Sequence, residues 1–304
     1  GTSKRVAEIL ALIIGNAKVY DISDAPEDIH LYNSVISVFA FHGYKTANKT
    51  KKYLHDLGEL LNEKSLGLVG VGLSHTDMNI YEKVIEEDIN RKADFTNFIE
   101  GELRINKLTD EDRQTLEKFL GEHNMKLMDM GMFKVEEACE NACEIKKFLD
   151  SSSRKLDKIQ LQKVIDEYVS GKNTCTLTSG VCEFIRSTPI EYLYVNNCFY
   201  FFTEGGLKFK GILQNPNVSI CIYDDYTGMG ELKGLQISGE AELISTDSSE
   251  YEEIINAKKL NLENINKLPV TLNLLKVYPL KFEFLNSNFK DMEVDVKQVL
   301  EKVR

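Results

Sequence analysis

Two hydrophobic patterns divide the chain. In the first half, short apolar runs at 17–22, 33–41 and 67–73 predict buried strands. A helical pattern, with apolar residues every three or four positions, occupies residues 53–61 between the last two runs. Because strands and helices alternate, this half is predicted to form an α/β domain, with a parallel sheet flanked by helices.

The second half contains short aromatic and β-branched runs that are separated by turn residues. This pattern is typical of an antiparallel barrel. Two helical patterns, 135–150 and 158–173, precede the strands, and three serines at 151–153 separate those helices. We therefore predict two domains, residues 1–150 and 151–304.

Composition narrows the functional classes. The 304 residues are 42% hydrophobic and 28% charged, as in a soluble globular protein, and the net charge of −11 argues against a nucleic-acid surface. No apolar run is long enough to span a membrane, and no secretory signal is visible. The six cysteines are predicted to be small buried hydrophobes in a reducing cytoplasm, and the five histidines show no metal-ligand spacing, so no metal site is predicted.

The candidate chemistry lies in a loop of the second half. Gly205 and Gly206 follow an aromatic strand, and a short basic helical turn with Lys208 comes next. Glycines let the backbone approach a ligand, and lysines beside freed N–H groups favour an anion such as phosphate. In the alternative interpretation, Lys208 and Arg186 are ordinary surface cations and Gln236 is a solvent-facing strand residue.

A tight hairpin is predicted to lead into this loop. The strand at 191–195 is joined to the aromatic strand at 199–202 by Asn196 and Asn197. Asparagine tolerates the positive φ angles that two-residue hairpin turns require.

These segments resemble the FMN-binding split barrel of the pyridoxamine 5'-phosphate oxidase-like family. The resemblance rests on FIRSTPIEYLYV (184–195), EGGLKFKGILQNP (204–216) and LKGLQISGEAELI (232–244), and it continues through residues 276–290. It implies an antiparallel FMN-binding split barrel as the fold of the second half.

The resemblance also implies how FMN is held. In the family, a threonine at a strand end, a lysine eight residues before a proline and an arginine on an adjacent strand hold the 5'-phosphate. Those positions are Thr203, Lys208 and Arg186 here. The serine that better-known oxidases place two residues before the lysine is Gly206, so one hydroxyl contact is missing.

For the flavin ring, we expect hydrogen bonds from the strand backbone and from Gln236. The complete set of predicted cofactor-binding residues is Arg186, Ile190, Glu191, Tyr192, Phe202, Thr203, Lys208 and Gln236. Because the flavin itself carries the redox chemistry, no side chain is named as catalytic.

The first half resembles a flavodoxin-like domain as far as about residue 130. GTSKRVAEI resembles the end of a flavodoxin phosphate loop running into a helix, which implies phosphate contacts from Thr2, Ser3 and Lys4 and ring coverage near Tyr44. The first strand and most of the phosphate loop of that family are not in this chain. The half is therefore interpreted either as a degenerate, structural or partner-docking domain or as a second FMN site.

Two functions remain open. One is an FMN-dependent oxidoreductase or flavin reductase that uses a small-molecule electron donor and acceptor. The other is a non-catalytic flavin- or haem-binding redox scaffold. The resemblance further implies a homodimer formed through the split barrel, in which Tyr192, Tyr194 and Tyr200 either cover the partner or pack inside their own barrel.

Overall fold

The computed structural model describes residues 1–40, 48–73, 78–122, 124, 126–151 and 153–302, without the side chains of Glu111 and Thr115. Tyr44, the aromatic residue predicted to cover a flavin ring, lies outside the described residues. The chain divides into two compact units, Gly1–Ser152 and Ser153–Arg304. No helix in the described ranges is long and apolar enough to cross a membrane.

The first unit is built on three parallel strands in the order β1-β2-β3, which confirms the predicted parallel sheet with flanking helices. Its elements in chain order are α1 (Thr2–Ile14), β1 (Ser34–Ala40), α2 (Asn48–Leu57), β2 (Ser65–Gly72), α3 (Met78–Ile89), β3 (Phe95–Glu100), β4 (Glu102–Leu103), α4 (Asp110–Glu122), β5 (Met130–Gly131) and α5 (Val135–Ser151).

Apolar clusters cover both faces of this sheet. On one face, Leu54 and Ile85 from α2 and α3 pack against Leu66 and Leu68. On the other face, the helices α1 and α5 pack together against alternate residues of β2, among them Val69. The central strand β2 is consequently buried along almost its whole length, as expected for a parallel strand covered on both sides.

The predicted strand at 17–22 is wrong. The structure leaves these residues outside the sheet and without regular secondary structure. A strand is stable only when its backbone groups pair with a neighbour, and β1 pairs with β2 alone among the described residues. The apolar pattern of the segment correctly indicated partial burial of Tyr20 and Ile22. It could not show that the segment has no neighbouring strand to pair with among the described residues.

The second unit is one curled antiparallel sheet with helices, consistent with the predicted split barrel. Its sheet has the order β7-β6-β10-β11-β12-β9-β8, and β13 pairs with β12. The elements are α6 (Lys158–Ser170), β6 (Thr174–Val181), β7 (Phe184–Glu191), β8 (Leu193–Val195), β9 (Cys198–Thr203), α7 (Lys208–Ile212), β10 (Asn217–Tyr223), β11 (Lys233–Ile244), α8 (Ser249–Ala257), α9 (Leu262–Ile265), β12 (Asn273–Asn286) and β13 (Lys297–Glu301).

A single core lies inside the curl of this sheet. Phe199, Phe282 and Phe284 from β9 and β12 are fully buried together with Leu235 of β11. The helix α6 contributes Ile165 to the same cluster. Leu177 of β6, near the opposite end of the strand order from Phe199 of β9, belongs to the same cluster. The sheet therefore encloses this core instead of presenting it on one flat face.

The predicted hairpin between β8 and β9 is confirmed. Val195 pairs with Cys198, and Asn196 and Asn197 between them adopt φ angles of 52° and 61°. This geometry is the one that two-residue turns with asparagine favour. The turn sets the direction of β9, whose last residue, Thr203, lies at the start of the following loop.

Candidate functional site

The candidate site begins where β9 ends. The Thr203 hydroxyl accepts a hydrogen bond from the Gly205 N–H and donates one to the Gly205 carbonyl, each at 3.2 Å. Gly205 and Gly206 have φ angles of 126° and 109°, which residues with a Cβ rarely adopt. The two glycines therefore let the chain fold back over the strand end before α7 starts.

Lys208, the first residue of α7, is turned back into the same loop. Its side chain is 6% exposed, and its Nζ donates a hydrogen bond to the Gly205 carbonyl. This carbonyl oxygen also accepts the Thr203 hydroxyl. The predicted threonine and lysine thus converge on one oxygen atom.

Ser179 connects Lys208 to Arg186. Its buried hydroxyl donates a 3.0 Å hydrogen bond to the Lys208 carbonyl, and Ser179 is paired with Arg186 across β6 and β7. Side chains of directly paired residues lie on the same face of a sheet. Arg186, Lys208 and Thr203 therefore form one cluster, which we call the cationic cradle.

The electrostatics of the cradle favour an anion. Burial lowers the pKa of Lys208, and the charge of the nearby Arg186 guanidinium lowers this pKa further. Neither cation is paired with an acidic side chain among the described residues. Two cations held together without a counter-charge repel each other, and an anion bound between them would offset that repulsion.

The structure adds Thr188, a residue that the sequence interpretation missed. Its hydroxyl oxygen is inaccessible to solvent and has no hydrogen-bond partner. Thr188 lies two positions after Arg186 on β7 and therefore points to the same face. Because protein atoms cover this hydroxyl, a ligand in the cradle would reach it only after a local rearrangement, and Thr188 is not counted among the donors of the cradle. The two-residue spacing from Arg186 is the signal that could have identified its place on this face.

Ile190 and Glu191 lie at the end of β7, and only Ile190 shares the face of the cradle. Ile190 is half-buried and follows Thr188 by two positions. The Glu191 side chain points to the other face, where its carboxylate lies 2.5 Å from the Lys258 ammonium. β7 is the last strand in the described sheet order, so its outer backbone edge has no strand partner there. The ring contacts expected along this edge stay a prediction.

Two predicted residues are used in packing instead. Tyr192 is 4% exposed, and its hydroxyl donates a 2.7 Å hydrogen bond to the Val169 carbonyl. Phe202 points away from the cradle and its ring lies 6.2 Å from that of Tyr251 on α8. The alternation along each strand directs both side chains into apolar clusters.

The three tyrosines that were candidates to cover a partner also belong to their own unit. Tyr192 and Tyr200 are almost fully buried, and the Tyr194 hydroxyl donates a 2.9 Å hydrogen bond to Asp166 of α6. Burial also raises the pKa of all three phenols. Of the two interpretations, core packing is therefore the one that the structure supports.

Gln236 lies on the other face of the sheet from the cradle. The cross-strand pairs show this. Ser187 of β7 pairs with Thr178 of β6, which pairs with Ser219 of β10. Ser219 pairs in turn with Ser238 of β11, so all four side chains lie on one face. Gln236 shares the face of Ser238 because it is two positions away on β11. Arg186 precedes Ser187 by one residue and so points the opposite way. Within one protomer, Gln236 and the cradle are not brought together.

The predicted phosphate residues of the first unit border a separate cleft of about 600 Å³. Thr2 and Ser3 line it at the start of α1, beside the carboxyl ends of β1 and β2, while Lys4 is exposed and not part of the lining. The Thr2 hydroxyl donates to the Glu102 carbonyl at 3.4 Å. No cluster of three or more potential metal ligands occurs within the described ranges.

The carboxylate of Glu102 lies 3.2 Å from Arg104 and 3.1 Å from Lys107. A hydrogen bond from Lys107 and the surrounding positive charges lower the pKa of this carboxyl. Two of the cations at this cleft, Arg104 and Lys107, are therefore paired with a carboxylate of the protein, unlike those of the cradle.

Comparison with known proteins finds a similarity for each half of the chain. Residues 1–126 match the flavodoxin domain family, and residues 161–283 match the pyridoxamine 5'-phosphate oxidase family. Each match covers less than half of the chain. Comparison with curated proteins gives no match.

Several solved structures are similar to part of the chain. A candidate pyridoxamine 5'-phosphate oxidase from Listeria innocua has 22% identity and a TM-score of 0.35, over 41% of this chain and 98% of its own. HutZ, the haem storage protein from Vibrio cholerae, has 16% identity and a TM-score of 0.34, over 39% and 89%. The FAD binding protein from Mycobacterium smegmatis has 19% identity and a TM-score of 0.30, over 38% and 88%.

The family matches confirm the resemblance predicted for each half: the N-terminal half is similar to flavodoxin domains, and the C-terminal half is similar to the pyridoxamine 5'-phosphate oxidase family.

Proposed function

We propose that the C-terminal unit binds FMN, with the 5'-phosphate in the cationic cradle, and that the protein is an FMN-dependent oxidoreductase or flavin reductase acting on a small molecule. The observation that carries this proposal is the buried Lys208 beside Arg186, with no acidic partner in the described structure. A phosphate dianion matches this charge, whereas an uncharged ligand would leave it uncompensated. The match of this half to the pyridoxamine 5'-phosphate oxidase family supports a flavin as the molecule that carries the phosphate.

The residues of the cradle fit a phosphate chemically. Lys208 and Arg186 supply charge-assisted donors, and the Thr203 hydroxyl supplies a neutral one. In this structure the Gly205 carbonyl accepts from both Lys208 and Thr203, so it occupies the place of an acceptor oxygen. A phosphate oxygen would take over these two donors.

The ring is proposed to lie along the outer edge of β7. The peptide groups near Ile190 would hydrogen-bond to its polar edge, and the half-buried Ile190 side chain would give an apolar contact. When bound, FMN supplies reversible electron and hydride transfer. The residues of this chain bind and orient it, and a small-molecule donor and acceptor would exchange electrons with it.

A homodimer would complete the ring site. Gln236 points to the face opposite its own cradle, so it could contact a flavin only in a neighbouring protomer. Large apolar side chains on the same face, Tyr223 at 60% exposed and Leu285 at 36%, are consistent with burial against a partner. We propose that two barrels pair symmetrically and that each provides Gln236 to the flavin of the other.

The experiment is to titrate the full chain with FMN and with riboflavin, which has the same ring but no phosphate. Tight FMN binding with riboflavin bound at least tenfold more weakly supports the cradle assignment. Equal binding of the two would overturn it. The FMN complex is then mixed with NADH or NADPH without oxygen: bleaching that reverses in air supports turnover.

A flavin spectrum that neither donor changes would favour the non-catalytic flavin carrier. A Soret band on addition of haem, with no response to FMN, would favour the haem-binding alternative. Sedimentation of the FMN complex tests the dimer, since a monomer with full FMN affinity contradicts a shared ring site.

A further inference from the structure

One peptide group of the cradle, the bond that joins Gly205 to Gly206, is held only by the side chains that are proposed to bind phosphate. Its carbonyl oxygen accepts from the Lys208 ammonium and from the Thr203 hydroxyl. The peptide groups on either side have other partners: the Gly205 N–H donates to the Thr203 hydroxyl at 3.2 Å, and the Gly206 carbonyl accepts from the Phe209 N–H at 3.1 Å. The middle peptide group can therefore turn while its neighbours stay in place.

The N–H of this peptide group, which belongs to Gly206, makes no hydrogen bond with any residue that the structure describes. The N–H and the C=O of a trans peptide point in opposite directions. The Gly206 N–H therefore points away from Lys208 and Thr203, while the Gly205 carbonyl points towards them. A half-turn of the peptide plane would exchange the two groups and would present a hydrogen-bond donor, in place of an acceptor, to an anion in the cradle.

The backbone angles show which of the two glycines controls this turn. A half-turn of a peptide plane changes the ψ of the residue before it and the φ of the residue after it. It leaves the φ of Gly205 at 126°, a value that residues with a Cβ rarely adopt. It takes the φ of Gly206 from 109° to about −70°, which every residue type adopts. Glycine at position 206 is therefore required by the arrangement in the free protein and not by the turned one.

The surroundings leave room for the turn. Apart from chain neighbours, a Cβ built on Gly205 would meet no described atom within 4 Å, and one built on Gly206 would meet only the Lys208 Nζ, at 3.8 Å. The contacts that the turn breaks are thus the two hydrogen bonds from Lys208 and Thr203 to the Gly205 carbonyl. A phosphate oxygen in the cradle would restore both.

We propose that the peptide group between Gly205 and Gly206 turns over when phosphate binds, so that the Gly206 N–H becomes a further donor to the phosphate of FMN. In the free protein, the Gly205 carbonyl occupies the donors of the cradle. On binding, the phosphate takes over these donors, and the carbonyl oxygen, which would repel the phosphate oxygens, leaves the cradle. This inference rests on the proposed phosphate site, and it adds a backbone donor at a position that has no side-chain hydroxyl.

A matched pair of variants tests the turn through the affinity for FMN in phosphate-free buffer. In Gly206→Ala, the added Cβ disfavours the arrangement of the free protein and is accepted by the turned one. We therefore expect FMN to bind at least about fivefold more tightly than it binds to the parent protein. In Gly205→Ala, the φ angle is unfavourable in both arrangements, so the affinity should stay equal or fall. A loop that does not turn gives no gain in either variant.

Hydrogen exchange of the Gly206 amide follows the turn in the parent protein. The N–H has no protein partner before the turn and is bonded to phosphate after it, so we expect exchange to slow at least tenfold in the FMN complex. Riboflavin, which has no phosphate, is the control and should leave the exchange of this amide unchanged.

Two results would overturn the proposal and leave the phosphate site intact: FMN affinity in Gly206→Ala that does not exceed that of the parent protein, or a Gly206 amide that exchanges equally fast with and without FMN. No binding of FMN, or equal binding of FMN and riboflavin, would remove the site itself and the turn with it. The exchange measurement decides the question even if Gly206→Ala fails to fold.

Discussion

Both units carry the sequence pattern that indicates a phosphate site, which is a hydroxyl residue and a lysine beside the start of a helix. The charges around this pattern differ between the two units. In the C-terminal cradle, Lys208 and Arg186 lie together without an acidic partner in the described structure. In the N-terminal cleft, the Glu102 carboxylate lies within 3.2 Å of Arg104 and within 3.1 Å of Lys107. The pattern alone does not define an anion site; the surrounding balance of charge does.

The hydroxyl groups differ in the same way. Thr203 shares its acceptor with Lys208, so an anion that displaces the Gly205 carbonyl gains two donors at once. Thr2 donates to the backbone of Glu102, whose carboxylate would repel a phosphate. We therefore expect FMN to select the C-terminal unit.

The largest expected effect follows from Lys208→Ala. Loss of a buried charge-assisted donor should weaken FMN binding by about 2–3 kcal/mol, or about 30- to 150-fold. The matched control is Lys210→Ala on the same helix: Lys210 is exposed and its ammonium lies 4.7 Å from the centre of the Phe184 ring, so affinity should change less than about twofold. Fluorescence titration with FMN measures both. Similar losses in the two variants would mean that general positive charge, and not the cradle, attracts the cofactor.

Arg186→Ala should have the next largest effect on binding, about 1.5–2 kcal/mol or roughly 10- to 30-fold, because this guanidinium is exposed and part of its interaction is screened. Removal of its charge should also raise the pKa of Lys208, since Arg186 is one of the two causes that lower it. Calorimetric titration of the variant and the parent protein with FMN, at low and at high salt, measures the loss of affinity and the part of it that salt screens. An affinity that equals that of the parent protein at low salt would remove Arg186 from the cradle.

The sequence was sufficient to predict these cations but not their surroundings. Thr203 was found as the threonine at a strand end and Lys208 by its spacing to Pro216, both of which follow a family pattern. The structure joins them at one carbonyl oxygen. Ser179 and Thr188 were missed although β6 and β7 form a hairpin in which Val181 pairs with Phe184, so that their register follows from a short turn. No local pattern, however, places Ser179 against Lys208, which lies 29 residues further along the chain.

The same limit explains the predictions that were wrong or incomplete. Gln236 was selected for its amide, but which face it occupies depends on the pairing of four strands. The segment 17–22 has the composition of a strand, but an adjacent strand is needed to make it one. The fold class could be predicted from the sequence, because the alternation and spacing of apolar runs are local properties of the chain.

The pH dependence of binding should distinguish Lys208 from the permanently charged Arg186. Because the pKa of Lys208 in the free protein lies below the usual value of about 10.4, this lysine loses its proton at a lower pH than an exposed one. FMN should bind with constant affinity from about pH 7.5 upward, where its phosphate is a dianion, until that pKa is reached.

Above that pKa, binding requires uptake of a proton, so affinity should fall by up to about tenfold per pH unit. In Lys208→Arg the decline should disappear, because a guanidinium keeps its proton. A decline of the same size in Lys208→Arg would assign the pH dependence to another group.

Thr203→Val should weaken FMN binding by about 1 kcal/mol, or roughly fivefold, since it removes the neutral hydrogen bond that the hydroxyl would donate to the phosphate and keeps the shape of the side chain. It also removes the acceptor of the Gly205 N–H. The control is Thr188→Val on the edge strand. Its hydroxyl has no partner in the free protein, so the change should leave the melting temperature of the FMN-free protein unchanged or raised. Because protein atoms cover this hydroxyl, FMN affinity should also stay within about twofold of the parent value, and calorimetry and thermal melting measure the two quantities separately.

The smallest effect should come from the N-terminal cleft. Thr2→Val removes a hydroxyl that already donates to the Glu102 carbonyl, so FMN affinity should change less than about twofold, and the bound stoichiometry should stay near one flavin per chain. Absorbance of the protein after equilibration with excess FMN and removal of free cofactor gives the stoichiometry directly. Two flavins per chain in the parent protein, with one lost in Thr2→Val, would show that the charge of Glu102 does not exclude a phosphate. The contrast between the two units would then have to rest on something other than their balance of charge.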